Sequence, residues 1–412
     1  MTGVPRILLA DCDHMFVSVA RIADPEGAGK ARFLVVGGSR TRGVVVSASY
    51  EARAFGVRAG MPSAQAARLC PQITFAGVPR GAIGAKHREM RRVLEQWSPV
   101  VEGASVDEFY LDLTGTEQVY HGEPLAETAR KIREDAMRRT GLAVSIGGGT
   151  NRLVAKLAAE RAKPKPNTQG NGVLIVPPGE EAAFLAGHAL AELPGVGPKL
   201  QAVLKRFGLV QVRDALRLDS RSLESWLGRG TGRWLYQRIR GRAGDEVHAA
   251  PPNHSISHEQ TFSRDLVSDE AIETRLLSLV TSLAGTLRGE ALATRCVTVK
   301  LRDHDFRTRQ ASRTVREPLS TDRALYGVAR ELLSTLRSRR RTAARLVGVS
   351  FSALEDRAGR PQLSLLPPER GPQETPRDLQ LATAIDHIRK KQGEAAIGPA
   401  RLTRKSTDRP TA

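Results

Sequence analysis

The stretch Ser105-Val106-Asp107-Glu108-Phe109 decides how this chain folds, because it places two adjacent carboxylates within an apolar strand pattern. A third carboxylate, Asp11, ends another apolar run, Ile7-Leu8-Leu9-Ala10. Acids brought side by side in apolar surroundings repel one another unless a cation lies among them. The pattern therefore predicts an oxygen-ligand metal site where two buried strands meet.

Adjacent residues of an ideal strand point to opposite faces, so a turn or bulge must direct both Asp107 and Glu108 toward shared ions. Mg²⁺ prefers oxygen ligands and usually takes one or two carboxylates together with substrate phosphates. Two such ions can stabilise the attacking and the leaving oxygen of a phosphoryl displacement. The backbone carbonyl of Cys12 could add a ligand. The alternative is that the Asp-Glu pair is a solvated turn between strands.

Composition limits the class of protein. The chain has 412 residues, enough for several domains, and 40% of them are hydrophobic, which is typical of a globular protein. Lys and Arg number 63 against 44 acids, so the net charge of +19 predicts a polyanionic partner, nucleic acid before an anionic membrane. We expect no membrane association, because no run of 18 apolar residues and no signal sequence is present. Three scattered cysteines indicate a reducing cytoplasm.

The first 163 residues alternate between strand and helix patterns. Strands are predicted at 6–10, 33–36, 44–46, 100–101, 109–113 and 143–146, and helices at 14–22, from 49, from Ser63 as N-cap, and at 83–97, 123–139 and 150–162. This alternation favours an antiparallel sheet with helices on one face. Gly147-Gly148-Gly149 precedes a helix, but the Gly-Lys-Ser/Thr of a phosphate loop does not follow.

Two Pro- and Gly-rich stretches, 164–172 and 241–253, predict boundaries. The chain between them is predicted to be helical to about residue 240. From 255 to 354 the pattern is strand, helix, two strands, helix and strand, which predicts a ferredoxin-like domain. The rest is polar and Pro-rich and predicts a tail, with an additional helix at 377–392. The fold class is therefore α+β with several domains.

Two basic features predict contacts with nucleic acid. In Leu193-Pro194-Gly195-Val196-Gly197-Pro198-Lys199-Leu200, a hairpin lets the backbone of Gly195 and Gly197 approach a phosphate, and Lys199 lies at the following helix N-terminus. The alternative is a plain Gly-Pro connection between helices. Arg307, Arg309 and Arg313 recur at even spacing, which predicts one strand face that follows a phosphate backbone. The alternative is an edge strand whose charges prevent aggregation.

Four motifs together resemble the Y-family of translesion DNA polymerases of the DNA polymerase IV type. They are Asp11-Cys12-Asp13-His14-Met15-Phe16, residues 49–57, residues 105–112, and Ala162-Lys163-Pro164. The resemblance extends in order from Ile7 to Leu354. It implies a right-hand polymerase with a palm at 1–20 and 79–166, small fingers at 21–78, a helical thumb with a helix-hairpin-helix at 167–241, a linker at 242–252, a ferredoxin-like little finger at 253–355, and a tail at 356–412.

The resemblance also implies roles for single residues. Asp11, Asp107 and Glu108 would bind two Mg²⁺ ions, with the Cys12 carbonyl as a further ligand and Glu108 as the active-site residue. Phe16 would be the steric gate that excludes ribonucleotides, although it could simply be a core residue on a helix. The dNTP phosphates would be bound by Tyr50, Arg53, Lys163 and, as a weaker match, Ser47. Each of these could instead be a packed ring or a surface cation.

The activity implied is template-directed addition of deoxynucleotides to a primer 3′ end, at low fidelity and past damaged DNA. The expected partners are primer-template DNA, a dNTP and a sliding clamp. The clamp would bind the tail peptide at 362–366, through Gln362, Leu363, Leu365 and Leu366, unless that peptide is a random apolar patch. We expect a monomer in the cytoplasm of a bacterium, associated with the nucleoid.

Two other functions remain open at this point. The first is a catalytically inactive relative that binds only DNA and the clamp. The second is a nucleotide cyclase with a palm fold, which leaves the hairpin, the basic last domain and the tail peptide unexplained. The three acids favour the polymerase, since inactive relatives lose them.

Overall fold

The computed structural model describes residues 3–164, 170–242, 244, 246–248, 253–357, 374–393 and 395–403. The chain divides into two compact units, Met1–Pro251 and Pro252–Ala412. Across the described ranges, no helix has the length and apolar character needed to span a membrane.

The first unit carries three groups of elements. In chain order these are β1 (Ile7–Cys12), α1 (Met15–Ala23), β2 (Leu34–Gly37), β3 (Val45–Ala48), α2 (Tyr50–Ala54), α3 (Ser63–Leu69), β4 (Thr74–Ala76), α4 (Arg80–Leu94), β5 (Val100–Gly103), β6 (Glu108–Asp112), α5 (Leu125–Thr140), β7 (Val144–Gly149), α6 (Arg152–Ala162), β8 (Val173–Ile175), α7 (Glu181–Ala186), a 3₁₀ turn (Leu190–Glu192), α8 (Pro198–Arg206), α9 (Val212–Leu216), α10 (Ser220–Leu227) and α11 (Arg229–Arg238). Most boundaries lie within three residues of the prediction. Ser63 begins α3 rather than capping it, because Pro62 takes the cap position.

The main sheet has the strand order β5-β6-β1-β7-β8. The pairs β5–β6, β6–β1 and β1–β7 are antiparallel, and β8 pairs in parallel with β7. The prediction of a wholly helical chain after residue 172 was wrong here, because Val173–Ile175 forms this fifth strand. Three apolar residues are too few for a periodic pattern to separate a strand from a helix.

Helices cover both faces of the main sheet, so the prediction of helices on one face was wrong. Leu8 and Ala10 of β1 pack with α4 and α5, whereas Ile7 and Leu9 pack with Ala155 and other residues of α6 and β6 on the opposite face. A strand that is buried on both faces is a continuous apolar run, and such a run does not reveal which side a helix covers.

A second sheet, with order β3-β2-β4, has its own small core around Val35 and Val45. Helices α7 to α11 enclose a third core that includes Leu193 and Val196 of the predicted hairpin. The strands of the second sheet fall between β1 and β5 in the sequence, whereas α7 to α11 follow β8, and each group has its own core.

The second unit contains β9 (Ser255–Leu266), α12 (Asp269–Gly289), β10 (Leu292–Asp303), β11 (Thr308–Leu319), α13 (Asp322–Arg339), β12 (Ala344–Asp356), α14 (Pro376–Gln392) and α15 (Ala400–Thr403). The first six follow the predicted order. The sheet order is β11-β10-β12-β9 with every neighbouring pair antiparallel, so each helix-connected pair of strands is split by a third strand.

Helix α14 belongs to the packed part of the second unit and is not a free tail. The Arg288 side chain on α12 is only 2% exposed, and its Nε donates to Asp386 Oδ2 of α14 at 2.6 Å. Just before α14, the Glu374 carboxylate accepts the backbone N–H of Ser320 at 2.6 Å, next to the N-terminus of α13. Polar side chains carry this docking, which is why the polar composition of the segment predicted a tail instead.

Candidate active site

The pairing of β1 and β6 brings two of the three acids together. Asp11 and Glu108 are direct partners in that antiparallel pair, and the Cys12 N–H donates to the Asp107 carbonyl at 2.8 Å. Ser105 forms the predicted turn: its hydroxyl donates to Asp107 Oδ1 at 2.5 Å and accepts the Glu108 N–H at 3.1 Å. The acids therefore lie at adjoining positions although almost a hundred residues separate them.

Two lysines of α6 and its C-cap bind these acids. Lys163 Nζ lies 2.7 Å from Asp11 Oδ2, and Lys156 Nζ donates to Glu108 Oε1 at 2.7 Å. Sequence reasoning found Lys163 but missed Lys156. A signal was available, because a spacing of seven residues places both on one side of a helix.

Burial and mutual repulsion oppose ionisation of Asp11. Burial raises its pKa to about 6, Lys163 acts against that rise, and Glu108 and Asp107 add to it. Burial disfavours the charged form of Lys163, yet the contact with Asp11 raises the pKa of that ammonium above its ordinary value. The site thus concentrates negative charge that cations already neutralise in part.

Over the described part of the chain, no three His, Cys, Asp or Glu side chains are arranged to hold a metal ion as they stand. Asp11 and Glu108 reach toward ammonium groups and Asp107 toward a hydroxyl. The donor chemistry nevertheless fits a hard divalent cation, since three carboxylates on adjoining positions offer only oxygen ligands. Cys12 could add only its carbonyl, because its thiol is buried in the core and burial raises its pKa.

Tyr50 and Arg53 lie beside His14, in the loop that follows β1. The ring centroids of His14 and Tyr50 are 3.8 Å apart. The Ala48 carbonyl accepts from Arg53 Nε at 3.0 Å and lies 3.1 Å from His14 Nδ1. Burial lowers the pKa of His14 to about 4, and the positive charge of Arg53 is the second cause of this decrease. At neutral pH the ring is therefore uncharged, and its Nδ1–H can donate.

Sequence reasoning missed His14, which has a left-handed backbone with φ of 52° and links the loop after β1 to the last residue of β3. It stands within the first motif of the resemblance, but nothing in the sequence assigned it a role. Asp13 was left out of the metal set, and it accepts the Ser145 hydroxyl at 2.8 Å instead. Phe16 is half-buried on α1 between two apolar clusters, and Ser47 is buried on β3. Phe16 thus packs against the core on two sides, and its function as a steric gate stays a prediction.

The hairpin forms at the predicted place, after a 3₁₀ turn rather than a full helix. Gly195 has φ of +96°, and a Cβ there would lie 2.6 Å from the Trp234 ring. Gly197 precedes α8 as its N-cap, and Lys199 is exposed in the first turn. Glycine at 195 is thus required both by the backbone conformation and by the neighbouring ring.

The structure does not support the predicted arginine row. Arg309 donates to the fully buried Asp303 at 2.8 Å, and Arg313 pairs with Glu331 of α13, so both point to the helix side of the sheet. Arg307 lies before β11 begins. The two-residue period of a strand correctly places Arg309 and Arg313 on one face, but that face is the helix side. The opposite face of β11 carries Thr308, Gln310 and Ser312, which are paired with Arg302, Lys300 and Thr298 of β10.

The predicted clamp peptide at 362–366 lies outside the described residues. Its contact with a partner stays a prediction.

Comparison with known proteins agrees with the geometry. Residues 10–160 match the impB/mucB/samB family model, and residues 253–365 match the model of that family's C-terminal domain. A DNA polymerase IV of Treponema denticola is 33% identical over 97% of both chains, and one of Caulobacter vibrioides is 34% identical over 96% of this chain and 93% of its own.

Solved structures agree as well. A Y-family DNA polymerase chimera of Dbh superposes with a TM-score of 0.73 at 25% identity, covering 84% of this chain and 98% of its own. An insertion ternary complex of Dbh DNA polymerase gives a TM-score of 0.59 at 26% identity over the same shares. With both ends of the chain matched by one family and relatives of nearly equal length, this chain belongs to the impB/mucB/samB family of Y-family DNA polymerases.

Proposed function

We propose that Asp11, Asp107 and Glu108 hold two Mg²⁺ ions at the active site of this DNA-directed DNA polymerase. The register that sets Asp11 opposite Glu108 carries the proposal. Bound divalent ions would supply charge neutralisation at the reacting phosphate. The reaction is attack of a primer 3′-hydroxyl on the α-phosphate of a dNTP, directed by a template, which breaks the bond to the β-phosphate and releases pyrophosphate. It includes synthesis past damaged DNA.

The chain's own residues would position the nucleotide. Lys163 and Arg53 offer an ammonium and a planar guanidinium to the triphosphate, and Tyr50, which is 37% exposed, adds a hydroxyl. Lys163 would exchange its contact with Asp11 for a phosphate oxygen when the nucleotide enters. Ser47 is a weaker candidate, because its side chain is buried.

An inactive adaptor is the alternative, and the two functions separate in one assay. Primer extension with Mg²⁺ and the four dNTPs on an undamaged template should give product from the purified chain. A folded protein that binds primer-template DNA but extends nothing would favour the adaptor. Retention of all three acids at adjoining positions favours the enzyme.

Replacing Phe16 by Ala should lower discrimination against ribonucleotides by at least about tenfold, because removing the ring opens space for a 2′-hydroxyl. A tenfold change corresponds to about 1.4 kcal/mol of difference between the two transition states. The measurement is kcat/KM for dCTP and for CTP opposite the same template base. Phe16→Tyr keeps the aromatic bulk and should discriminate as the parent does. Equal ratios in the Ala variant and the parent would leave Phe16 as a core residue only.

We propose that DNA lies on the open face of the second unit's sheet, which includes Lys300 and Arg302. Their neighbours Val299 and Leu301 pack with α12 and α13, so alternation turns these two cations away from the helices. Lys300→Ala with Arg302→Ala should weaken primer-template binding and reduce the salt slope by roughly two. Arg313→Ala, on the helix side, is the matched control. A salt slope that falls only in the control would refute this surface.

We further propose that a sliding clamp binds residues 362–366. Deleting 361–366 should remove stimulation of synthesis by the clamp and leave distributive synthesis intact. Stimulation that survives the deletion would count against the peptide.

We also propose that the protein acts as a monomer at the bacterial nucleoid. Sedimentation would test the oligomeric state, and microscopy would test the localisation.

A further inference from the structure

A surface cavity of about 730 Å³ lies next to the hairpin of the first unit. Its lining includes Gly195, Leu200, Trp226, Leu227, Thr231 and Trp234. Trp234 closes one side, because its ring lies against Gly195, and the Arg238 guanidinium lies 5.3 Å from the centre of that ring. The cavity is therefore bordered by aromatic rings and by the backbone loop that is predicted to approach a phosphate.

Two large aromatic side chains are exposed at this place. Phe207, just after α8, is 41% exposed, and Trp226 on α10 is 38% exposed. Their rings are parallel within 3°, with centroids 4.4 Å apart. Each ring of such a pair has one face against its partner and an outer face that a third flat group could cover.

Three exposed cations lie close in sequence to the aromatic pair. Lys205 and Arg206 directly precede Phe207, and Arg229 follows Trp226 by three residues; all three are exposed. The nearby acid Glu224 accepts the Ser220 hydroxyl at 2.8 Å and lies 3.6 Å from Arg233. This charge pattern favours a polyanion over an ordinary apolar protein surface. A polyanion that also offers flat rings is a nucleic acid with unpaired bases.

We propose that this surface, defined by Phe207, Trp226 and the flanking Lys205, Arg206 and Arg229, binds single-stranded nucleic acid. An unpaired base stacks on the outer face of Trp226 or Phe207, and the cations contact the neighbouring phosphates. Stacking on aromatic rings tolerates any base, so the site is not sequence-specific. The surface is distinct from the three acids, and binding to it does not depend on the proposed catalytic metals.

The test compares two 12-mers of equal charge, one of thymidines and one with abasic sites throughout, by fluorescence anisotropy on the full chain. The parent should bind the thymidine strand at least about tenfold more tightly, because stacking of a single base on an aromatic ring already contributes on that order. Phe207→Leu with Trp226→Leu keeps apolar area but removes both rings, and should abolish that preference. Val119→Ala, which trims a side chain that is 70% exposed elsewhere in this unit, is the control and should keep it.

A parent that binds both strands equally would overturn the proposal, and so would a leucine variant that keeps the preference. Photocrosslinking with a 5-iodouracil strand gives a second readout that needs no variant, and the expected adduct is on Trp226 or Phe207. Adducts found only elsewhere would also overturn it. Primer extension on a preannealed duplex should be unchanged in the leucine variant, so failure here and failure of the catalytic assignment can be told apart.

Discussion

Asp11→Asn and Glu108→Gln should each reduce primer extension by on the order of a thousandfold, the equivalent of about 4 kcal/mol of transition-state stabilisation. Both changes preserve side-chain volume and remove one negative charge from the meeting point of β1 and β6. Single-turnover extension measures the chemical step. Binding of primer-template DNA should persist in both variants, because less negative charge faces the phosphates.

Asp112→Asn is the matched control for that experiment. Asp112 lies on the same strand as Glu108 at its other end, and its Oδ1 accepts the Thr114 N–H at 2.9 Å. An asparagine oxygen can keep this hydrogen bond, so extension should stay within about threefold of the parent, as is usual for a change that preserves local contacts. Similar activity in Asp11→Asn and in this control would remove Asp11 from the metal site.

Gly147→Ala should destabilise the first unit by about 3 kcal/mol or more and reduce activity with it. A Cβ at Gly147 would lie 1.9 Å from the Ala159 nitrogen and 2.2 Å from the Ala155 carbonyl oxygen, so backbone must move to admit it. The backbone that must move belongs to α6, which carries Lys156 and leads to Lys163. Urea unfolding of the full chain measures the change in free energy.

Gly84→Ala supplies the opposite expectation. Gly84 lies within α4, and a Cβ there would meet only the end of the Arg88 side chain at 3.4 Å. Alanine in a helix interior should stabilise by about 0.5–1 kcal/mol. If both alanine variants unfold at the same urea concentration as the parent, the close packing of α6 on β7 is not what holds the lysines in place.

The acids were predictable because Asp11 ends one apolar run and Asp107 and Glu108 directly precede another, and carboxylates beside apolar strands need a partner wherever the strands lie. The order of elements in the second unit was predictable because its strands and helices differ clearly in period. The faces of the main sheet that the helices cover were not predictable. Ile7 to Ala10 is apolar at every position, so nothing in that run shows that α6 covers one face and α4 and α5 the other.

Arg309 and Arg313 illustrate the same limit. Their spacing specifies a common face of β11, but the side of that face depends on Asp303 and Glu331, which lie on other elements. The Asp303 carboxylate is fully buried, and a buried charge without a partner is costly, so Asp303 requires a cation beside it, which Arg309 supplies. Only the three-dimensional arrangement decides which arginines are available to a ligand.

The docking of α14 holds Glu374 on the same unit as β12. The Arg357 N–H donates to the Ala291 carbonyl at 2.8 Å, and the Glu374 carboxylate accepts the Ser320 N–H beside α13. Arg357 and Glu374 are therefore both held by the second unit. Loss of the Arg288–Asp386 pair would release α14 from α12, and the fixed position of Glu374 beside α13 would then depend on its own hydrogen bonds alone.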